Sequence, residues 1–91
     1  MARAAAFGLV NRVAPLDQVL DTAIALARLI CANGPLAVRH SLRIARQAAD
    51  FSEFELRVMQ AKEADIVFRS EDAKEGPAAF MQKRPPQWKG R

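Results

Sequence analysis

The chain has 91 residues, a length that predicts one small domain with a thin core. Hydrophobic residues make up 51% of it and charged residues 26%, and the net charge is +4, a balance that excludes wholesale disorder. Its single cysteine excludes an internal disulfide, and one cysteine with one histidine cannot supply the four ligands of a structural zinc site, so we expect no metal.

The first predicted element is a short strand at residues 8–13, which read Gly-Leu-Val-Asn-Arg-Val. Branched apolar residues favour strands, and Pro15 should end this one. A strand needs a neighbour for its backbone hydrogen bonds, and no second stretch of the chain is a convincing partner. We therefore expect residues 1–15 to be the remnant of a sheet-containing core, and residues 16–91 to form a helical domain.

Two helices should follow this strand. Apolar residues recur every three or four positions from Leu16 to Asn33, which predicts an amphipathic helix. Gly34 is expected to end it in a left-handed cap, and Cys31, on its apolar stripe, should be a buried and inert thiol. Pro35 suits the first position of a second helix, which should reach about Ala49, because that position needs no backbone donor.

Capping residues predict where the last two helices begin. Ser52 and Glu55 have the spacing of a capping box, and the helix that they begin should reach Phe68 or Arg69. Ser70 should cap the N-terminus of a fourth helix, because its side chain can accept a hydrogen bond from the first turn.

The fourth helix contains Pro77, which predicts a kink or an early irregular turn, and the tail at residues 84–91 should be irregular. About four helices with one short N-terminal strand make a mainly α fold. Helices of this length are marginal alone in water, and alanine buries little area. The helices should therefore pack on each other or on a partner chain.

No catalytic site emerges from the residue types alone. His40 and Ser41 are neighbours on a helix, where their side chains point about 100° apart, so they cannot pair as base and nucleophile, and His40 should be an ordinary packed or surface histidine. The carboxylate pairs are explained by helix starts and solvated faces; they are Glu71 with Glu75, and Glu63 with Asp65. The four scattered glycines form no phosphate-binding loop.

Three arginines, Arg39, Arg43 and Arg46, fall at helical spacing and could contact phosphate, which leaves a small basic nucleic-acid binder as one alternative. A solvated helix face explains the same spacing, and the acidic residues spread along the chain weaken the nucleic-acid case. We therefore expect no nucleic-acid partner.

Phe80 and Lys83 form the sharpest pattern, because residues three apart share one face of a helix. An aromatic ring beside an ammonium group suits an adenine nucleotide: the ring contacts the base and the lysine attracts phosphate. By itself the pair is also consistent with a core phenylalanine beside an exposed lysine.

Three segments, in order along the chain, resemble the C-terminal region of the enoyl-CoA hydratase (crotonase) family. The first reads Gly-Leu-Val-Asn-Arg-Val with Pro15, and the second is Asn-Gly-Pro-Leu-Ala-Val at residues 33–38. The most specific is Ser-Glu-Asp-Ala-Lys-Glu-Gly at residues 70–76, followed by Ala-Phe and Lys-Arg-Pro-Pro ending at Pro86. The resemblance covers nearly the whole chain.

The resemblance implies a spiral core, of which residues 1–15 are the end, and then a helical domain that drives trimer assembly. It also implies that Phe80 and Lys83 reach the coenzyme A nucleotide, and only in an assembled oligomer. The oxyanion hole and the catalytic carboxylates of the family belong to the core, so these residues include no catalytic group. Apart from a coenzyme A thioester as substrate, we expect no cofactor.

We therefore expect a C-terminal fragment of an enoyl-CoA hydratase or isomerase homologue of acyl-CoA metabolism that is inactive alone. The alternative is a helical oligomerisation module that completes a separately encoded core. Partners would be a second copy or such a core chain. With no signal peptide and no apolar run of about 20 residues, we expect a cytoplasmic protein without a membrane segment.

Overall fold

A computed structural model describes residues 2–91 and confirms the mainly α fold. The α-helices are α1 (Ala2–Ala6), α2 (Val19–Cys31), α3 (Pro35–Gln47), α4 (Glu53–Phe68) and α5 (Glu71–Met81), and a 3-10 turn at Leu16–Gln18 precedes α2. The chain divides into two compact units, Met1–Ile30 and Cys31–Arg91. The domain boundary expected between residues 15 and 16 stays a prediction.

The predicted strand at residues 8–13 is wrong, because turn and bend geometry occupies residues 7–11 and residues 2–91 contain no strand. The backbone amides at this position cap α1 instead. Gly8 has a positive φ of 74°, its amide donates to Ala5 O at 3.1 Å, and the amide of Leu9 donates to Ala4 O at 2.9 Å. These are the two hydrogen bonds of a Schellman motif, so local capping replaces a strand that lacks a partner.

The predicted helix starts at Ser52 and Ser70 are confirmed. Ser52 Oγ accepts from the amide of Glu55 at 3.2 Å, and the Glu55 side chain accepts from the amide of Ser52 at 3.1 Å, which completes the capping box. Ser70 Oγ accepts from the amide of Ala73 at 3.1 Å. Because both caps use residues within one turn, the sequence was sufficient to find them.

The structure contradicts the left-handed cap at Gly34 and the irregular turn at Pro77, and the alternative of a kink at Pro77 stays a prediction. Gly34 has φ −56° and is the N-cap of α3 rather than a left-handed cap of α2. An irregular turn does not interrupt the last helix, since α5 continues through Pro77 to Met81. The glycine at position 34 has a packing role instead, because the ring of Trp88 lies 3.8 Å from the place of its Cβ.

The thin core is confirmed. Among residues 2–91 the one buried hydrophobic side chain is Ala79, which is 1% exposed, and Ser70 and Asp72 are buried polar residues. Cys31 is exposed, so the expectation of a buried thiol is wrong. A folded monomer of 10.0 kDa exposes roughly 5,200 Å², whereas this chain exposes 7707 Å². Many large hydrophobic side chains are exposed, among them Phe54, Phe68 and Phe80.

The C-terminal tail (residues 84–91) has no regular secondary structure, as expected, but it is bound to the start of α5. The carboxylate of Asp72 accepts from the amides of Lys89 and Gly90, each at 2.8 Å, and the amide of Asp72 donates to Arg91 O at 3.0 Å. Ion pairs from Glu71 to Lys89 and Arg91, at 3.4 and 3.5 Å, lie beside them. Asp72 is 6% exposed, so these hydrogen bonds are shielded from water.

Trp88 links the tail to the turn before α3 and to α5. Its indole Nε1 donates to Ala32 O at 3.0 Å, and its ring lies close to Gly34 and Gly76. A Cβ at Gly76 would come within 3.3 Å of the ring, so a larger residue there would displace it. Glycine in α5 therefore permits the close approach of the indole ring.

Across residues 2–91, no single helix is both long and apolar enough to cross a membrane, and only a helix pair broken at residues 32–34 passes on length and composition.

Replacing Asp72 should release the tail. We expect Asp72→Ala to lower the free energy of unfolding by about 2 kcal/mol or more, since each hydrogen bond to a charged group contributes roughly 1.5–3 kcal/mol. Urea denaturation measures the loss, and hydrogen exchange of the Lys89 and Gly90 amides should accelerate. The control is Asp50→Ala, at an exposed position. Equal stability of the two variants would show that the Asp72 hydrogen bonds do not hold the tail.

Candidate functional site

The candidate site lies at the C-terminal end of α5, where both predicted residues are exposed. Phe80 is in the last turn of the helix and is 82% exposed. Lys83 follows the C-cap residue Gln82, so it lies beyond the helix rather than on its face, and the prediction of a shared helix face is wrong. Their predicted nucleotide-binding role stays a prediction.

A Schellman motif determines the backbone at Lys83. The amide of Lys83 donates to Phe80 O at 3.2 Å, and the amide of Arg84 donates to Ala79 O at 3.1 Å. Lys83 has a φ of 52°, the left-handed conformation that glycine adopts most easily, and it is the one non-glycine residue among residues 2–91 with a positive φ. A lysine at this position therefore costs stability that Gly8 avoids in the same motif after α1.

The side chain of Arg84 is bound to Glu75, nine positions earlier in α5. Arg84 Nη1 and Nη2 donate to the two carboxylate oxygens of Glu75 at 2.5 and 3.2 Å, and the amide of Gln87 donates to the same carboxylate at 3.0 Å. The hydrogen bonds from Arg84, and then from Gln87, lower the pKa of Glu75 from its ordinary 4.5 to about 2. The same ion pair raises the pKa of Arg84.

The neighbouring cations Arg84 and Lys83 therefore differ in whether their charge is paired. Arg84 is held by Glu75 and by Gln82 Oε1, to which its Nε donates at 2.7 Å. Within residues 2–91 the ammonium of Lys83 has no ion-pair partner. Lys83 can thus meet an external phosphate, while Arg84 stabilises the turn that carries it.

A second polar cluster joins α3 to α4. His40 Nδ1 donates to Glu63 Oε2, and Arg43 Nη1 donates to Glu63 Oε1 at 3.2 Å. The bond from His40 is the main cause that lowers the pKa of Glu63, and Arg43 adds to it. The cluster borders an open groove of about 510 Å³ between the two helices. A local sequence pattern does not reveal this partner of His40, because Glu63 lies 23 positions away.

Most of the other candidate residues have structural explanations. Arg39 and Arg46 are exposed, as expected for a solvated helix face. Asp65 pairs with Arg69 at 2.9 Å on the exposed surface of α4. No group of three metal-ligating side chains is found in residues 2–91. These arrangements bring no acid, base and nucleophile together.

Comparison with known proteins agrees with the resemblance seen in the sequence. The model of the enoyl-CoA hydratase/isomerase family matches residues 1–91. The chain is 43% identical over 90 residues to the enoyl-CoA hydratase EchA19 of Mycobacterium tuberculosis, a match that covers 99% of this chain and 34% of that protein. It is 42% identical to a carnitinyl-CoA dehydratase of Salmonella arizonae, covering 92% and 34% of the two chains. The chain thus spans about a third of the length of these curated relatives and matches their C-terminal part.

Solved structures give the same result for the fold. An enoyl-CoA hydratase from Mycobacterium tuberculosis superposes with a TM-score of 0.90 at 46% identity, over 99% of this chain and 36% of that one. The enoyl-CoA hydratase EchA1 from Mycobacterium marinum superposes with a TM-score of 0.90 at 47% identity, over 99% and 37%. The helices are therefore the C-terminal helical region of that fold.

The Glu75 ion pair should make stability depend on pH in acid. Because the pKa of Glu75 is lowered to about 2, its contribution is complete above pH 4.5 and is lost as the pH falls from 4.5 towards 2, where the unfolded chain binds a proton that the folded chain does not. In Glu75→Gln the free energy of unfolding should therefore decline less over this range.

Urea midpoints measured between pH 2 and pH 6 test this expectation. Glu53→Gln is the control for the loss of one negative charge, since Glu53 forms an exposed ion pair with Arg57. Parallel pH profiles for the wild-type protein and Glu75→Gln would contradict a pKa lowered by Arg84.

Proposed function

Because this chain belongs to the enoyl-CoA hydratase/isomerase family, we propose that its 91 residues act as the helical C-terminal part of a coenzyme A thioester enzyme and are not catalytic by themselves. The observation that carries this proposal is the 0.90 TM-score to an enoyl-CoA hydratase of which the chain covers 36%. The polar clusters at His40 and Glu75 are ion pairs that stabilise helices, and neither one combines a nucleophile with a base.

The proposed role of the site is to contact the nucleotide portion of coenzyme A. Phe80 presents an exposed ring that can stack on adenine, and the unpaired ammonium of Lys83 can bind phosphate. The left-handed conformation of Lys83 supports this role, because a strained residue that persists is a sign of function. Since this contact is small and exposed, binding should be weak until a neighbouring core holds the thioester.

A second role, oligomerisation, is favoured by the exposed apolar surface. In this proposal the helices complete a core supplied by another polypeptide or associate with a second copy. The large exposed hydrophobic residues support it, because a soluble monomer rarely leaves so many uncovered.

Activity measurements separate these roles. The purified 91-residue protein should not hydrate crotonyl-CoA, because in the proposed role the core supplies the oxyanion hole, whose loss alone typically costs about 100- to 1000-fold. Co-expression with the N-terminal two-thirds of EchA19 should give a complex that co-purifies and regains hydratase activity. Turnover by the 91 residues alone would refute the proposal that they are not catalytic by themselves. Failure of the two chains to co-purify would contradict the proposal that the helices complete a core supplied by another polypeptide.

Substitutions of Lys83 should separate stability from nucleotide contact. Lys83→Gly should raise the free energy of unfolding by about 1 kcal/mol, because glycine tolerates a positive φ. Both Lys83→Gly and Lys83→Ala should weaken coenzyme A binding in an NMR titration, while Lys83→Arg should retain it. If wild-type protein shows no shifts at residues 80–84 with millimolar coenzyme A, either alone or in the complex with the EchA19 segment, the contact does not exist.

A further inference from the structure

Hydrogen bonds bracket Lys83 on both sides of the turn that contains it. The guanidinium of Arg84 donates from Nε to Gln82 Oε1, on the residue before Lys83, and from Nη1 and Nη2 to the carboxylate of Glu75. The amide of Gln87 donates to the same carboxylate at 3.0 Å. Glu75 therefore fixes the segment that follows Lys83, and Arg84 connects that carboxylate to the residue that precedes Lys83.

A non-glycine residue with a positive φ needs such support. The left-handed conformation is costly for a residue with a Cβ, and it persists where the surrounding structure determines it. Lys83 has a φ of 52°. The two hydrogen bonds of the Schellman motif form the turn, and the bonds to Glu75 hold the next segment against α5. Without Glu75, we expect Lys83 to spend more time in other conformations.

The sign of the charge on Glu75 separates its electrostatic effect from its geometric effect. A carboxylate near a phosphate repels it, so the loss of this charge should by itself tighten binding. The effect is small, because Glu75 precedes Lys83 by eight positions, about 12 Å along a helix axis. Across that distance in salt solution, one charge changes binding at most about twofold. Weaker binding after the charge is removed would therefore have a geometric cause.

From these contacts, we propose that Glu75 and Arg84 are positioning residues for the nucleotide contact. Together they hold Lys83 in the conformation that presents its ammonium at the end of α5, where Phe80 also lies. Arg84 is not a phosphate ligand in this arrangement, because all three nitrogens of its guanidinium already donate within the chain. The negative charge of Glu75 thus promotes the binding of an anion. This inference deepens the nucleotide contact proposed above and rests on it.

Coenzyme A titrations followed by NMR test this role, in the 91-residue protein and in its complex with the EchA19 segment. Glu75→Gln and Arg84→Gln should each raise the dissociation constant of coenzyme A about fivefold, because the conformation of Lys83 that binds phosphate becomes a minor one. Circular dichroism checks that each variant keeps its helices.

Two further measurements distinguish positioning from general stabilisation. In both variants the backbone chemical shifts of Lys83 should move away from the left-handed values before any ligand is added. Glu63→Gln is the matched control, because Glu63 is also a partly buried carboxylate paired with an arginine, between α3 and α4. This control should lower stability but leave the Lys83 shifts and coenzyme A binding unchanged.

The double variant Glu75→Gln/Arg84→Gln tests whether the two residues act as one unit. It should bind coenzyme A no more weakly than the weaker single variant, because residues that act through one shared interaction are not additive. An Arg84 that bound phosphate itself would give a different pattern. Arg84→Gln would then weaken binding, whereas Glu75→Gln, which frees that arginine, would tighten it.

The outcomes separate this inference from the proposed function. If coenzyme A shifts no resonance at residues 80–84 of the wild-type protein or its complex, the nucleotide contact and the positioning role are both overturned. Wild-type binding that is unchanged or tighter in Glu75→Gln would leave the nucleotide contact standing and overturn the positioning role. Additive losses in the double variant, or an equal loss in Glu63→Gln, would do the same.

Discussion

The carboxylate of Asp72 is the interaction on which the rest of the helical unit depends. It is buried, it accepts two amides from the tail, and it thereby holds Trp88 against Gly34 and Gly76. With Ala79 as the one buried hydrophobic side chain among residues 2–91, hydrophobic burial can contribute little there. Hydrogen bonds shielded by the tail replace part of the missing core, which explains why an irregular segment follows a fixed path.

The same tail supports the candidate nucleotide contact. Glu75 accepts from Arg84 and from the amide of Gln87, so the ion pair and the tail meet at one carboxylate. This holds Arg84 close to α5 and leaves its neighbour Lys83 free in a strained turn. A charge held in an ion pair and a charge without an ion-pair partner are thus adjacent in the described chain, and only the tertiary contacts distinguish them.

Helix α4 leaves apolar surface exposed. Helix α4 has apolar residues on more than one side, because one side packs within the chain and another faces solvent at Phe54 and Phe68. A helix buried on two sides is usual inside an assembly and unusual on a free surface.

The sequence by itself was sufficient to identify the family and to predict the mainly α fold. It also predicted the caps at Ser52 and Ser70, because a helix start depends on residues within one turn. Through their family pattern, it proposed Phe80 and Lys83 as nucleotide-contacting residues, and that role stays a prediction. Only the tertiary structure paired His40 with Glu63, placed Trp88 beside Gly34 and replaced the predicted strand with a cap at Gly8. These features depend on residues far apart in the chain, or on the absence of a pairing neighbour, and a local pattern contains neither kind of information.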